Sequence, residues 1–417
     1  MRVLVVGSGG REHALIWGLS KSPLVTEILC APGNGGTQAL ARNLPIDAMD
    51  FAGLRDAALN ENVDLVVVGP DDPLAAGLVD YLEEKDLKVF GPRKNAALIE
   101  GSKVFMKDFC ARQGIPTASF RSFDSLEEAR KELAQSPIPV VLKADGLAAG
   151  KGVIVAHTRE EAEAALDRIM VQKAYGEAGS KVIIEEFLEG EEISILALVD
   201  GKNFLLMDPI RDHKPLLDGN QGPNTGGMGT FSPVPGVSAE IIDAVKAQII
   251  EPAVKGMASE GRPFKGVLFA GLMLTADGPK LIEFNARFGD PETQVVIPRL
   301  ETDLLELMMA TIEGRLDEIE LRFRQESALC LILASQGYPY SYEKSFPISG
   351  LDEVQCPLFH AGTRRENKET LTNGGRVLGV VGLGDDLKGA RKKAYEEADK
   401  ISFQGVYRRS DIGTFSS

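Results

Sequence analysis

Over residues 1 to about 100, fully apolar runs alternate with helical stretches. VLVV (3–6) leads into GSGGREHALIWGLS, VDLVVVGP starts at 63, and KVFGP starts at 88. Strands that are apolar on both faces and separated by helices predict a parallel, doubly wound sheet. Such a sheet takes ligands at the carboxyl ends of its strands. The loops there are GSGGRE (7–12), APGNGGT (31–37) and GPDDPL (69–74).

Near residue 102 the pattern changes. Ser102 is placed to cap a helix that runs to Gln113 and is closed by Gly114. PVVLKADGLAAGKGVIVA (139–156) follows, then an acidic, Ala-rich helix from Arg159 to about Val171, then KVIIEEFLEGEEISILALVDGKNFLLM (181–207) with a hairpin turn at Asp200-Gly201. Strands joined by tight turns with a helix between them imply antiparallel α+β structure. Residues 211–236 are rich in Gly, Pro, Asp and Asn and predict a long functional loop. GVLFAGLMLTADGPKLI (266–282) predicts a hairpin turning at Asp277-Gly278. A helix over 303–314 comes next, and a last α+β unit begins near 327 with ALCLILAS and includes a helix over 387–401.

Against that pattern, EFNARFGDPETQ (283–294) is anomalous, because a strand that should bury apolar groups ends in charge. Side chains alternate faces along a strand. Glu283, Asn285 and Arg287 therefore share one face, and Phe284, Ala286 and Phe288 the other. Two hard oxygen donors two residues apart make a partial Mg²⁺ site, because Mg²⁺ takes one or two carboxylates and completes its shell with water and phosphate. Arg287 on the same face can fork onto a phosphate or carboxylate. For the triplet alone, a solvated edge with a salt bridge fits as well; the dense continuation GDPETQ favours a site.

A second phosphate candidate is KADGLAAGKGVIV (143–155). Gly146, Gly150 and Gly152 free the backbone to curl N–H groups around anionic oxygens, with Lys143 and Lys151 beside them. The spacing is one residue short of a P-loop, and Gly152 stands where that motif needs a hydroxyl. A flexible glycine hairpin is the plain alternative. In IIEEFLEGEE (183–192), Glu185, Glu186, Phe187 and Leu188 can edge an adenine pocket with Glu192 on a ribose, although the residues alone favour a strand with solvent-facing acids. GSGGRE fails the dinucleotide fingerprint because Glu12 replaces the third Gly. Phosphate binding at the start of the following helix, by Gly9, Gly10 and Arg11, stays open, whereas His13 suits packing better than catalysis. Asp212, Lys214 and Asn224 in the long loop are suited to grip a small zwitterion or phosphate; turn formation alone would explain the Gly and Asn of GPNTGGMG (222–229), but not their clustering with His213 and Lys214.

Composition narrows the ligands. The 417 residues allow about two to four domains, and the net charge of −15 repels nucleic acid. Anions must therefore be bound locally. Cys30, Cys110, Cys330 and Cys356 are far apart in sequence, which suits a reducing cytoplasm and, with four scattered histidines, argues against a zinc site. No apolar run reaches the length of a membrane span, and MRVLVVGSGG is too short in apolar residues for a signal peptide.

Taken in order, VLVVGSGGREHAL, APGNGGT, IEGSKVFMKDF, KADGLAAGKGVIVA, IIEEFLEGEE, DHK, GPNTGGMG, EFNARFGDPETQ, HAGT, NGGRVLGV and RSDIG span nearly the whole chain. The chain resembles the glycinamide ribonucleotide synthetases, ATP-grasp ligases of purine synthesis. That resemblance implies a Rossmann-like N-terminal domain (1–101), an ATP-grasp core (102–120 and 188–326), a lid inserted in it (121–187) and a small C-terminal α+β domain (327–417). It implies ATP, Mg²⁺ or Mn²⁺, and the substrates glycine and 5-phosphoribosylamine, handled by a cytoplasmic monomer without nucleic acid or membrane partners. By position it puts the metal on Glu283 and Asn285, and ATP phosphates on Lys103, Lys143 and the loop Gly146–Gly152. It puts the nucleoside against Glu185–Leu188 and Glu192. Asp212–Lys214, Asn224–Gly227, Arg287, Gly289 and Asp290 surround the other substrates, and Arg287, Lys143 and Asp290 carry the chemistry. One departure is local: the family has Gln before DHK and Arg after it, where this chain has Arg211 and Pro215. An ATP-grasp enzyme acting on a different carboxylate, such as a purine-pathway carboxylase, would lack GPNTGGMG and RFGDPETQ together. Glu12 argues against an NAD-dependent dehydrogenase, and the intact Glu283/Asn285 face argues against a non-catalytic nucleotide sensor.

Overall fold

The computed structural model describes residues 1–147 and 152–414, and of Glu177 only the backbone. The N-terminal apolar runs pair as a five-stranded parallel sheet in the order Arg42–Asn43, Glu27–Pro32, Arg2–Gly7, Leu65–Val68, Val89–Phe90. Val3 to Val6 and Leu65 to Val67 are fully buried, as strands covered on both faces must be.

The next sheet is antiparallel and four-stranded, in the order Phe204–Leu206, Glu191–Asp200, Lys265–Thr275, Gly278–Asn285. Both expected hairpin turns form, with Gly201 and Gly278 at φ +99 and +111. Asp200 accepts from the backbone N–H of Lys202, Asn203 and Leu316 at 3.0, 2.7 and 3.1 Å, so one carboxylate ties the turn to the helix Leu304–Glu313 region. Burial raises its pKa, but those donors outweigh burial and hold it below the usual value. Asp200→Ala is expected to cost about 1–3 kcal/mol at neutral pH. The contribution is fully present above the unfolded pKa and is lost as pH falls through the depressed folded value. Urea denaturation at pH 7 and pH 3 checks this: the gap between variant and parent must shrink at the lower pH.

A separate four-stranded sheet runs in the order Phe120–Phe123, Val182–Glu186, Val140–Ala144, Val153–Ala156, with the helices Leu126–Gln135 and Arg159–Leu166 on it. Its core of Ala129, Leu133, Leu142, Ala162, Leu166 and Ile184 is its own. By contrast, Leu4 and Val66, Ile195 and Leu268, and Leu331 and Val380 belong to one continuous core that joins the N-terminal, central and C-terminal sheets.

Half of the segment 211–236, expected as a loop, is instead strand: Arg211–Asp212, Pro215–Leu217, Gln221–Asn224 and Gly229–Ser232. Pro215–Leu217 and Gln221–Asn224 form a hairpin turning at Asp218-Gly219-Asn220, with Gly219 and Asn220 at positive φ. Gly229–Ser232 is buried along its whole length, so it shows no polar alternation, and it pairs with Ser327–Ser335. The last sheet thus runs Arg211–Asp212, Gly229–Ser232, Ser327–Ser335, Arg376–Gly384, Leu358–His360, crossing position 327. The helix expected from Arg159 to Val171 is α-helical to Leu166 and finishes in a π turn, Asp167–Val171.

Candidate active site

A cavity of about 320 Å³ opens between the sheet that carries Val140–Ala144 and the hairpin Lys265–Asn285. Glu283, Asn285 and Arg287 line it, while Phe284, Ala286 and Phe288 are buried at 1–3 % exposure. Strand alternation alone does not produce this. Gly271 pairs with Glu283 and Leu272 with Leu281, so Ile282 is an unpaired bulge residue. Its freed carbonyl accepts from Lys143 Nζ at 3.2 Å, which ties the strand Val140–Ala144 to the strand Gly278–Asn285.

Burial works to raise the pKa of Glu283, but Lys214, Lys103, Lys143 and Arg287 outweigh it and hold the carboxyl below its usual range. An ionised carboxylate and an amide oxygen on one face suit Mg²⁺, with phosphate and water completing the shell. Among the described residues no group of three or more His, Cys, Asp or Glu is placed to hold a metal ion.

Arg287 lies over Asn285, donating to its Oδ1 at 3.4 Å, and is pinned from behind by Glu100 at 3.1 Å and Asp71 at 3.9 Å. Its Nε is buried without a partner. Asp290 is held on three sides: by the N–H of Arg11 (3.2 Å), by Gln294 Nε2 (2.8 Å) and by Arg376 (3.3 Å). Burial pushes its pKa up, and Arg376 and Arg11 more than reverse this. Asp290 therefore clamps the N-terminal helix and the C-terminal sheet to the cavity wall.

The expected substrate residues divide. Asp212, Lys214, Asn224, Thr225 and Gly226 line the cavity. Lys214 forms an ion pair with Glu192. Asp212 Oδ1 is buried and unpartnered, and burial beside Glu292 pushes Asp212 well above the carboxylate range. Gly227, at φ +111, is required here: a Cβ would stand 2.6 Å from Asp212 Oδ1. A Cβ at Gly289 would collide with the Glu292 carboxylate in the same way. His213 does not line the cavity. Strand alternation turns it inward against Phe231, its Nδ1 is 3.3 Å from the Gly229 carbonyl, and burial lowers its pKa to about 4.

Gly9, Gly10 and Arg11 do not line the cavity either. The Gly9 N–H donates to Glu12 Oε2 (2.6 Å), and the Arg11 side chain donates to Glu12 Oε1 (2.5 Å) and the Phe288 carbonyl (3.1 Å). The carboxylates of Glu12 and Asp290 thus occupy the helix N-terminus where a phosphate was expected. His13 is buried and accepts from the His360 N–H at 2.8 Å, a packing role.

On the opposite wall, Lys103 donates to the Gly146 carbonyl at 2.7 Å, and Lys143 is 2.9 Å from Glu185 Oε2. Gly152, Glu185, Glu186, Phe187, Leu188 and Glu192 line the wall; Gly150 and Lys151 lie outside the described residues. Glu186 accepts the Ser119 N–H at 3.0 Å, which holds its pKa down. Arg211 reaches Glu191 at 3.4 Å rather than the cavity, and Pro215 opens a strand.

Sequence reasoning missed Asp71, Glu100, Glu292, Lys107 and Arg376. Glu292 stood inside a quoted motif, and Lys107 is one helical turn beyond Lys103, a spacing that places both on one face. Arg376 bonds the carbonyls of Asp290 (2.7 Å) and Gly226, contacts across more than 80 residues that no local pattern announces.

The models of three domains of phosphoribosylglycinamide synthetase match the chain: the N domain over residues 1–100, the ATP-grasp (A) domain over 101–293 and the C domain over 328–415. Phosphoribosylamine–glycine ligase of Caldanaerobacter subterraneus is 48% identical over 413 residues, covering 99% of both chains. That of Allochromatium vinosum is 49% identical over 419 residues, covering 99% of this chain and 98% of its own. The crystal structure of the Thermotoga maritima phosphoribosylamine–glycine ligase superposes with a TM-score of 0.88 at 35% identity, covering 99% of this chain and all of its own. A Campylobacter jejuni biotin carboxylase, at 14% identity and TM-score 0.74 over 97% of this chain and 92% of its own, shares the fold.

Proposed function

Because the chain belongs to the phosphoribosylglycinamide synthetase family, it is an ATP-dependent ligase that joins glycine to 5-phosphoribosylamine in purine synthesis, and we propose that it does so through a glycyl phosphate formed in the cavity between lid and core. Glycine's carboxylate is a poor electrophile with no competent leaving group. Attack of one of its oxygens on the γ-phosphorus of ATP releases ADP and converts that oxygen into part of a phosphate leaving group. The amine of phosphoribosylamine then adds to the carbonyl, phosphate departs with that oxygen, and the amide forms.

Phosphoryl transfer needs positioning and charge neutralisation more than covalent help. The observation that carries this reading is convergence: Lys103 from a core helix, Lys143 from the lid and Lys214 from the 211–224 segment all bear on Glu283. Lys103, Lys143 and Lys151 would bind phosphates; Glu185, Glu186, Phe187 and Leu188 would line the adenine pocket, and Glu192 would face the ribose. Glu283 and Asn285 would hold Mg²⁺, or Mn²⁺, which when bound neutralises phosphate oxygens. Arg287 would bear on the transferring group. The unpartnered Asp212 oxygen offers an acceptor to a substrate N–H, with Asn224 to Gly226 beside it and Asp290 fixing the wall behind. A closed lid would keep water from the acyl phosphate. Among the described residues no helix is long and apolar enough to cross a membrane, and the free cysteines fit a reducing cytoplasm.

The intermediate has a direct test. With glycine labelled by ¹⁸O in its carboxylate, one label per turnover is expected in inorganic phosphate by mass spectrometry. Unlabelled phosphate from labelled glycine would exclude the acyl phosphate. Alanine and bicarbonate should not support ADP release in the same coupled assay.

A further inference from the structure

Behind the cavity wall, next to the Glu185 that Lys143 pairs with, is a buried lysine that the mechanism does not use. Lys107 is 0% exposed, on the helix Lys103–Gln113. Its Nζ donates to Thr117 Oγ1 at 2.7 Å, and that hydroxyl donates in turn to the Leu281 carbonyl at 2.6 Å. With its proton committed to Leu281, Thr117 presents only lone pairs to Lys107, which fixes the ammonium to the core. Lys107 Nζ also stands 3.2 Å from Glu185 Oε1, off the line of a hydrogen bond, while Lys143 holds the other oxygen, Oε2, at 2.9 Å. One buried carboxylate is thus shared between an ammonium anchored in the core and an ammonium on the lid. Lys143 and Glu185 sit diagonally across neighbouring lid strands, since Lys143 pairs with Ile183 and Val141 with Glu185. That register brings the Lys143 ammonium onto Glu185 in the structure as it stands.

We propose that Lys107 is a positioning residue for nucleotide binding: it keeps Glu185 neutralised, so that Lys143 can turn from that carboxylate to a phosphate without leaving a buried charge unpaired. Stranding a buried carboxylate is strongly unfavourable. Without Lys107, Lys143 is the sole cation on Glu185, the remaining pair carries no net charge, and the lysine stays where it is. With Lys107 the trio carries one surplus positive charge, and Lys143 is the member free to move because Thr117 holds the other. This rests on the reading of Lys143 as a phosphate ligand.

The test is a double-mutant cycle on the full-length enzyme, read as the equilibrium Kd for Mg-ATP without glycine, beside KM and kcat. Lys107→Met is expected to weaken ATP binding about tenfold in the parent, and less than about threefold in a Glu185→Gln background, because the neutral amide no longer detains Lys143. A purely structural Lys107 would give equal effects in both backgrounds, and that result, or an unchanged Kd in Lys107→Met, would overturn the inference. Lys107→Gln, which keeps a donor for Thr117, is measured in parallel so that a folding failure of the methionine variant leaves the cycle intact. Lys143→Met separates the two ideas: normal ATP affinity there would defeat the phosphate role itself, whereas weakened affinity with an uncoupled Lys107 defeats only the present inference.

Discussion

Glu283→Ala is expected to lower ligase activity by about a hundredfold or more while the protein still folds. The size follows from position. Loss of a group that merely orients a metal ligand costs about 10–100-fold, and Glu283 is the carboxylate donor itself in the proposed site. Folding should survive because each lysine that bears on Glu283 has another partner. Lys103 donates to the Gly146 carbonyl, Lys143 pairs with Glu185 and Lys214 with Glu192. The substitution therefore leaves no ammonium stranded in the interior, which is where large destabilisations arise. A coupled ADP assay with saturating glycine and phosphoribosylamine measures the loss, and a thermal melt measures folding. Full activity in a folded variant would remove Glu283 from the metal site. A variant that melts far below the parent would instead mean that the carboxylate is a structural counter-charge.

The elements that could be foreseen are those whose signals are local. The hairpin Lys265–Asn285 was legible because apolar strands flank an Asp-Gly turn, and the helix Lys103–Gln113 because Ser102 and Gly114 mark its ends; Ser102 Oγ accepts the Phe105 N–H at 3.1 Å and Gly114 sits at φ +67. Gly229–Ser232 was not legible, since a short strand buried on both faces carries no alternation and its partner lies about a hundred residues on. The same distinction holds at the site. Strand alternation put Glu283, Asn285 and Arg287 on one face, but nothing in the sequence marks Ile282 as a bulge, and the bulge is what aims its carbonyl at Lys143. The glycines before Arg11 suggested a phosphate seat, and only the tertiary contact with Asp290 shows that the helix N-terminus is already occupied. Long-range ion pairs such as Arg287–Glu100 and Arg376–Asp290 are properties of the assembled fold.

Arg287→Met should produce the largest loss of stability, about 3–5 kcal/mol at pH 8, because it breaks a buried pair from one side. Glu100 is 8% exposed in its side chain, and Arg287 stands 3.1 Å from it. Once the guanidinium is gone, the carboxylate keeps the Ala286 N–H at 2.8 Å and has Asp71 as an unfavourable neighbour. Burial already raises the Glu100 pKa, and Arg287 is the largest influence pulling it down, so the variant's value must rise further. The sign of the pH dependence follows. An acid whose folded pKa lies above its unfolded value, about 4.3 for Glu, costs stability that is absent below the unfolded pKa and grows as pH rises through the folded one. The gap between Arg287→Met and the parent should therefore be widest at pH 8 and narrow on acidification towards pH 5. Adding Glu100→Gln should recover much of the loss at pH 8, since no charge is then left unpaired. Urea denaturation of the parent, the single variant and the double variant at both pH values measures this. A pH-independent gap with no recovery in the double variant would mean that Arg287 supports the fold by packing, and that Glu100 is not held ionised by it.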